Sequence, residues 1–210
     1  MIPFQIFSIA VESDATHIYG DHRLIDPAVF SRTFAQDCSL TNEFLKPFYR
    51  GERKNLVQHF TSATIDVEDQ EASFDLLARM NDGSVYGVVI VPPYFQINTA
   101  YTLLSCVALS QFAGFGTRRQ SNKPATLIYL SEVGFPGWEG PDVPVKRLHY
   151  ETEFDMPLTI LGINLPRVEK GHPYYEIAQD LLSQEPLKMY HKEFGEKILS
   201  LLRDYPFPCA

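Results

Sequence analysis

Two groups of basic residues are the first candidates for chemistry in this sequence. Arg118 and Arg119 follow a glycine-containing run at the end of an apolar segment, where they could receive a phosphate. Glycine and arginine are also ordinary caps at helix C-termini, and capping is the favoured interpretation. Lys146 and Arg147 could form a basic edge for nucleic acid, although such pairs at strand ends usually add solubility. The same edge could include His149, Arg167 and Lys170.

Cysteine and histidine show none of the spacings that hold metals or activate nucleophiles. The three cysteines, Cys38, Cys106 and Cys209, are far apart and form no CxxC motif. This pattern predicts reduced thiols rather than disulfides or a structural zinc. The six histidines contain no HxH or HExxH motif, which disfavours a histidine metal site. Cys106 lies in an apolar segment and is predicted to be an inert core residue.

The composition is typical of one soluble domain. A chain of 210 residues with 45% hydrophobic residues can bury a substantial core and lies within the single-domain range. It contains no apolar stretch of about 18 residues and no secretory signal pattern, so we expect a cytoplasmic protein without membrane contact. The net charge of -8 disfavours nucleic-acid binding unless basic side chains gather locally.

Local patterns in the first half of the chain predict two helices and a β-hairpin. Asp26 before Pro27 is an expected N-cap for the first helix, and a second is expected over residues 40–49. Strand periodicity begins at Thr64. It continues over residues 72–80 and 85–91, which are joined by an Asn-Asp-Gly turn and therefore predict a hairpin with a buried second strand.

The second half of the chain predicts further strands and helices, which together indicate an α/β fold. Residues 98–115 are proline-free and apolar on most sides, so we expect a helix packed against the sheet. Residues 125–131 read as a core strand, and shorter strands are expected over 148–154 and 158–164. Residues 173–203 have the periodicity of two amphipathic helices.

The order of these elements and several short motifs resemble the PD-(D/E)XK nuclease-like transposases, a bacterial recombination-promoting family. The motifs are Asp26-Pro27 before a Phe-rich helix, Phe44-Leu45, Asp75 in a strand, the Asp82-Gly83 turn, Lys123-Pro124 before a strand, and Leu165-Pro166-Arg167. The similarity covers residues 24–171. It implies a restriction-endonuclease-like core with a central mixed β-sheet flanked by helices. Residues 172–210 would add two C-terminal helices to this single domain, 1–210.

The resemblance also assigns a metal site to this chain. In the family, an Asp and a Glu hold Mg²⁺, and a Gln or Lys two residues after the Glu helps to place the attacking water. Asp75 matches the Asp, whereas Val89 and Val91 occupy the Glu and Gln/Lys positions. Side chains alternate along a strand, so both valines should share one face. Their isopropyl groups cannot ligate a cation, and Asp75 is expected to be a remnant.

Three functions remain open at this point. The leading hypothesis is a catalytically inactive family member without a cofactor, which binds a protein partner or nucleic acid. The second is an active Mg²⁺-dependent DNA endonuclease whose missing acid is supplied from elsewhere. The candidates are Asp66, Glu68, Asp69 and Glu71, although a solvated acidic turn is the favoured interpretation of this run. The third is a homodimeric interaction module that uses an apolar face of the C-terminal helices.

Overall fold

The structure is a computed structural model that describes residues 7–8, 23–35, 37–49, 55–67, 69–93, 99–114, 124–135, 144–151 and 157–204. The α-helices of this part of the chain are α1 (Pro27–Phe34), α2 (Cys38–Leu45), α3 (Thr99–Gly114), α4 (Tyr175–Leu182) and α5 (Lys192–Asp204). The strands are β1 (Phe7–Ser8), β2 (Leu56–Val67), β3 (Gln70–Met80), β4 (Val85–Val91), β5 (Ala125–Ser131), β6 (Val145–Glu151) and β7 (Pro157–Asn164). Short 3₁₀ helices cover Lys46–Tyr49, Leu165–Arg167 and Pro186–Lys188.

The strands form one mixed sheet in the order β1-β2-β3-β4-β5-β7-β6. Neighbouring strands from β1 to β4 are antiparallel, β4, β5 and β7 are parallel, and β6 is antiparallel to β7. A parallel neighbour requires a crossover connection, and α3 lies between β4 and β5 in the chain. The fold is therefore α/β, as the sequence patterns predict, and its sheet is mixed.

Helices cover both faces of the sheet and create two hydrophobic clusters. We call them the four-helix cluster, which includes side chains of α1, α2, α4 and α5, and the α3 cluster. Phe34 is fully buried in the four-helix cluster, with its ring centroid 5.1 Å from that of Phe44 and 5.5 Å from that of Phe194. On the opposite face, Leu109 and Phe112 of α3 are buried against the sheet. The C-terminal helices thus contribute to the same core as the N-terminal ones.

Most predicted elements are confirmed within a few residues of their expected ends. The Asp26 carboxylate accepts hydrogen bonds from the Ala28 and Val29 N–H groups at 2.9 and 3.2 Å, which is the expected N-cap. The turn at Gly83 has a φ of 84°, a conformation that favours glycine, and it joins β3 to β4. None of the helices in the described ranges has the length and apolarity needed to cross a membrane.

β2 begins eight residues before the expected strand pattern. A bulge disturbs the alternation of its first residues, so the sequence pattern does not show them as a strand. The register with β3 shifts between Leu56 and Gln58, which leaves Val57 as the extra residue, 64% exposed. Leu56 packs against the four-helix cluster, whereas Phe60 packs against the α3 cluster. An extra residue reverses which side chains face each side of a sheet. His59 is thereby directed toward α1 and α2.

Candidate functional site

Asp75 lies in β3 where the pairing with β4 ends. The antiparallel register extends as far as Leu76 and Val88. Beyond that pair, the Asp75 Oδ2 atom accepts a hydrogen bond from the Ile90 N–H at 2.6 Å. The side chain thus replaces the main-chain carbonyl that the next rung of the ladder would supply. Asp75 has a structural role at the end of the β3–β4 ladder.

The backbone around Asp75 is irregular in both paired strands. Leu76 belongs to the four-helix cluster and Phe74 to the α3 cluster, although residues two apart on a regular strand share a face. In β2, Ser62 lies between the partners of these two residues and has a φ of 48°, in the left-handed region. This local change of direction allows the Asp75 carboxylate to reach the main chain of β4.

Val89 and Val91 are buried core residues, 7% and 4% exposed. Both belong to the α3 cluster, whereas Val88 and Ile90 belong to the four-helix cluster. The two valines therefore share one face, as strand alternation requires. The strand face that the family resemblance assigns to a metal is apolar and covered by α3.

The electrostatic environment of Asp75 disfavours charge. Burial raises the pKa of its carboxyl group to about 6, while the hydrogen bond from the Ile90 N–H acts in the opposite direction. Burial also raises the pKa of Tyr101 in α3, and the Asp75 carboxylate adds to that rise. The Tyr101 hydroxyl donates to the Ser73 carbonyl oxygen at 3.4 Å. The partly buried Tyr101 thus lies close enough to Asp75 for the charge of the carboxylate to affect it.

These residues do not fit a divalent cation. Mg²⁺ requires near-octahedral oxygen coordination and usually takes one or two carboxylates. Asp75 offers one carboxylate that already accepts a main-chain N–H, and the valines offer no donor atom. In the ranges that the structure describes, no group of three or more His, Cys, Asp or Glu residues is arranged to hold a metal.

The acidic residues upstream of Asp75 lie at the turn between β2 and β3. Asp66 pairs with Glu71 across the hairpin, and Asp69 in the turn has a φ of 65°. All three are exposed. Glu71 is four positions from Asp75 along the strand, which corresponds to about 13 Å. The structure therefore does not bring these three acids to Asp75, and Glu68 lies outside the described residues.

The basic candidates on β6 do not form a single patch. β6 is an edge strand, and alternation places Lys146 on the same face as Leu148, which packs against the α3 cluster. Arg147 lies on the opposite face, where its Nη2 atom is 3.5 Å from the Tyr174 hydroxyl. Two further candidates, Arg118 and Arg119, lie outside the described residues.

The structure also shows polar groups that the sequence patterns do not identify. Ser105 of α3 and Tyr129 of β5 are buried near Tyr101, between the helix and the sheet, and burial raises the pKa of Tyr129. Hydroxyls within apolar segments carry no spacing signal, so only the tertiary structure reveals them. The same holds for two pairs of titratable residues, Cys38 with His59 and Asp180 with His191.

Comparison with known proteins adds no family or function to these observations. No family model matches the chain, and no curated protein is significantly similar to it.

Proposed function

We propose that this chain is a nuclease-like protein of the PD-(D/E)XK type that has lost hydrolysis and acts by binding a partner. One observation carries the proposal: Val89 and Val91 are buried in the α3 cluster at the positions where an active enzyme needs its second acid and its water-placing group. The remaining acid, Asp75, accepts a hydrogen bond from the β4 main chain. Each group at the former site therefore supports the fold.

The order of elements supports the nuclease-like assignment. Two helices precede the antiparallel strands β2, β3 and β4, and α3 then leads to β5, which is parallel to β4. This arrangement has Asp75 on the second strand of the core and the two valines on the third, facing the crossover helix. Fold alone does not define function, so the proposal depends on the residues at these positions.

A protein is a better supported partner than nucleic acid. The net charge of -8 opposes the approach of a polyanion, and Lys146 and Arg147 lie on opposite faces of β6. Exposed apolar side chains next to the C-terminal helices, Leu187 at 83% and Tyr190 at 53%, support an interaction surface in that region. A homodimer formed through this surface is the second candidate.

A cleavage assay tests the loss of hydrolysis. The purified chain would be incubated with linear, supercoiled and single-stranded DNA in the presence of Mg²⁺ or Mn²⁺. We expect no cleavage above the level of Asp75→Asn, because Val89 and Val91 cannot complete a metal site. The Asn variant keeps an oxygen acceptor for the Ile90 N–H and so serves as a matched control for fold. Cleavage by the unmodified chain that this variant lacks would refute the proposal.

A salt titration with light scattering tests the choice of partner. We expect no saturable DNA binding even in low salt, because the acidic net charge opposes contacts with phosphate. A protein that did bind phosphate groups would lose affinity steeply as the salt concentration rises. If the chain forms a homodimer, the molar mass measured by light scattering should double as the protein concentration rises. Leu187→Ser should then return it to the mass of the monomer. DNA binding with a clear salt dependence would instead support a nucleic-acid partner.

A further inference from the structure

Cys38 lies beside His59 where α1, α2 and β2 meet. Cys38 is the first residue of α2 and is exposed, and its Sγ atom is 3.8 Å from the His59 Nδ1 atom. The two residues are 21 positions apart in the sequence. The bulge at Val57 in β2 directs His59 toward the helices, so the fold itself creates this contact.

A main-chain carbonyl determines which nitrogen of His59 carries hydrogen. The His59 Nε2 atom is 2.8 Å from the Phe34 carbonyl oxygen at the end of α1. A carbonyl oxygen can only accept, so Nε2 donates, and in the neutral ring Nδ1 keeps a free lone pair. Nδ1 is the nitrogen that faces the Cys38 sulfur. The imidazole is thus oriented by a third group as a base for the thiol proton.

The N-terminus of helix α2 does not stabilise a Cys38 thiolate in place of that base. Asp37 is the N-cap, and its Oδ1 atom accepts hydrogen bonds from the Ser39 and Leu40 N–H groups at 3.1 and 3.0 Å. Its negative charge offsets the positive helix end that would otherwise stabilise a thiolate. The nearby group that can accept the Cys38 proton in this arrangement is therefore the His59 imidazole.

Cys106 provides a contrast within the same chain. It is 7% exposed in α3, and burial raises the pKa of its thiol to about 12. A thiol in that environment keeps its proton near neutral pH and is inert. Of the two cysteines that the structure describes, Cys38 alone combines exposure with an adjacent base.

We propose that Cys38 and His59 form a modification site at which Cys38 is converted to a mixed disulfide by small-molecule disulfides. The His59 Nδ1 atom takes the thiol proton, and the Cys38 sulfur attacks one sulfur of the disulfide. The old S–S bond breaks as the new one forms, and the released thiolate leaves as a thiol after taking the proton from His59. Cys38 is oxidised and half of the small molecule is reduced. The site is independent of the proposed loss of hydrolysis.

The test measures the rate of mixed-disulfide formation at each cysteine. The folded chain would be incubated with oxidised glutathione at pH 7, and modified Cys38 and Cys106 would be quantified by mass spectrometry of peptides. We expect Cys38 to react at least about tenfold faster than in an isolated peptide of residues 34–42, since the attacking species is the thiolate and the adjacent base takes the thiol proton. Cys106 should remain unmodified.

Two variants isolate the role of His59. His59→Gln should slow the Cys38 reaction at least about tenfold, because glutamine cannot take the proton. His149→Gln changes an exposed histidine on β6 and should leave the rate unchanged. Circular dichroism would verify that both variants fold. The proposal is overturned if Cys38 in the unmodified chain reacts no faster than the peptide, or if folded His59→Gln reacts at the unmodified rate.

Discussion

At the scale of single residues, Asp75 shows how one carboxyl group can serve the sheet in place of a main-chain acceptor. Its Oδ2 atom accepts a main-chain hydrogen bond that ends the β3–β4 ladder, so its removal would leave the buried Ile90 N–H without that acceptor. Burial of the side chain raises the pKa of the Asp75 carboxyl group to about 6.

The raised pKa predicts that stability falls as pH rises. The pKa of the carboxyl group is about 6 in the folded state and near its ordinary value of 3.8 when unfolded, so the folded chain binds more protons between these values. The free energy of unfolding should therefore decrease from about pH 4 to pH 7, by roughly 3 kcal/mol at most, since each pKa unit is worth about 1.4 kcal/mol. Urea denaturation across this range measures the slope.

Asp75→Asn should flatten this pH dependence, because the amide oxygen can still accept from the Ile90 N–H while the charge is absent. The unmodified chain and the Asn variant must be compared because His191 also makes the free energy of unfolding decrease as pH rises. Its pKa is raised above 6.5 by its hydrogen bond to Asp180, so its stabilising contribution is lost as pH rises through the folded value. An unchanged slope between pH 4 and 6 in the Asn variant would show that Asp75 is not its source.

At the scale of elements, β4 and α3 approach so closely that Gly87 has no room for a side chain. A Cβ atom there would lie 2.9 Å from Phe74 Cδ1 and 3.2 Å from Leu109 Cδ1. The Phe74 ring and α3 are therefore packed directly over the β4 backbone. This close contact keeps the face that carries Val89 and Val91 closed.

Gly87→Ala should destabilise the chain by about 1–3 kcal/mol, the usual cost of overpacking a core. Gly114→Ala is the matched control, because a Cβ atom at Gly114 meets nothing within 4 Å. That variant should change the free energy of unfolding by less than about 0.5 kcal/mol. Equal effects of the two substitutions in urea denaturation would contradict the close packing of α3 on β4.

Elements with strong local signals could be predicted from the sequence, and those shaped by tertiary contacts could not. The β3–β4 hairpin was predictable because Gly83 supplies a positive φ between two strand patterns. The start of β2 was not, because the bulge at Val57 removes its alternation. The contact between Cys38 and His59 follows from that bulge and has no signal in the sequence.

At the scale of the whole molecule, the α/β architecture follows from the order of elements, but the candidate site follows only in part. Alternation correctly places Val89 and Val91 on one face. It does not reveal that Asp75 bonds to the β4 main chain, because that contact depends on the irregularity at Ser62 and Asp75 in two paired strands. The acidic net charge of -8 opposes the approach of a polyanion.

A direct measurement of cation binding is the sharpest test of the proposal that the core side chains Val89 and Val91 fill a former metal site. Mn²⁺ and Mg²⁺ would be titrated calorimetrically into the unmodified chain and into Asp75→Asn at pH 7.5, where the Asp75 carboxyl group is mostly ionised given its pKa of about 6. We predict no saturable binding that depends on Asp75. Saturable heat in the unmodified chain that is absent from the Asn variant would contradict the account.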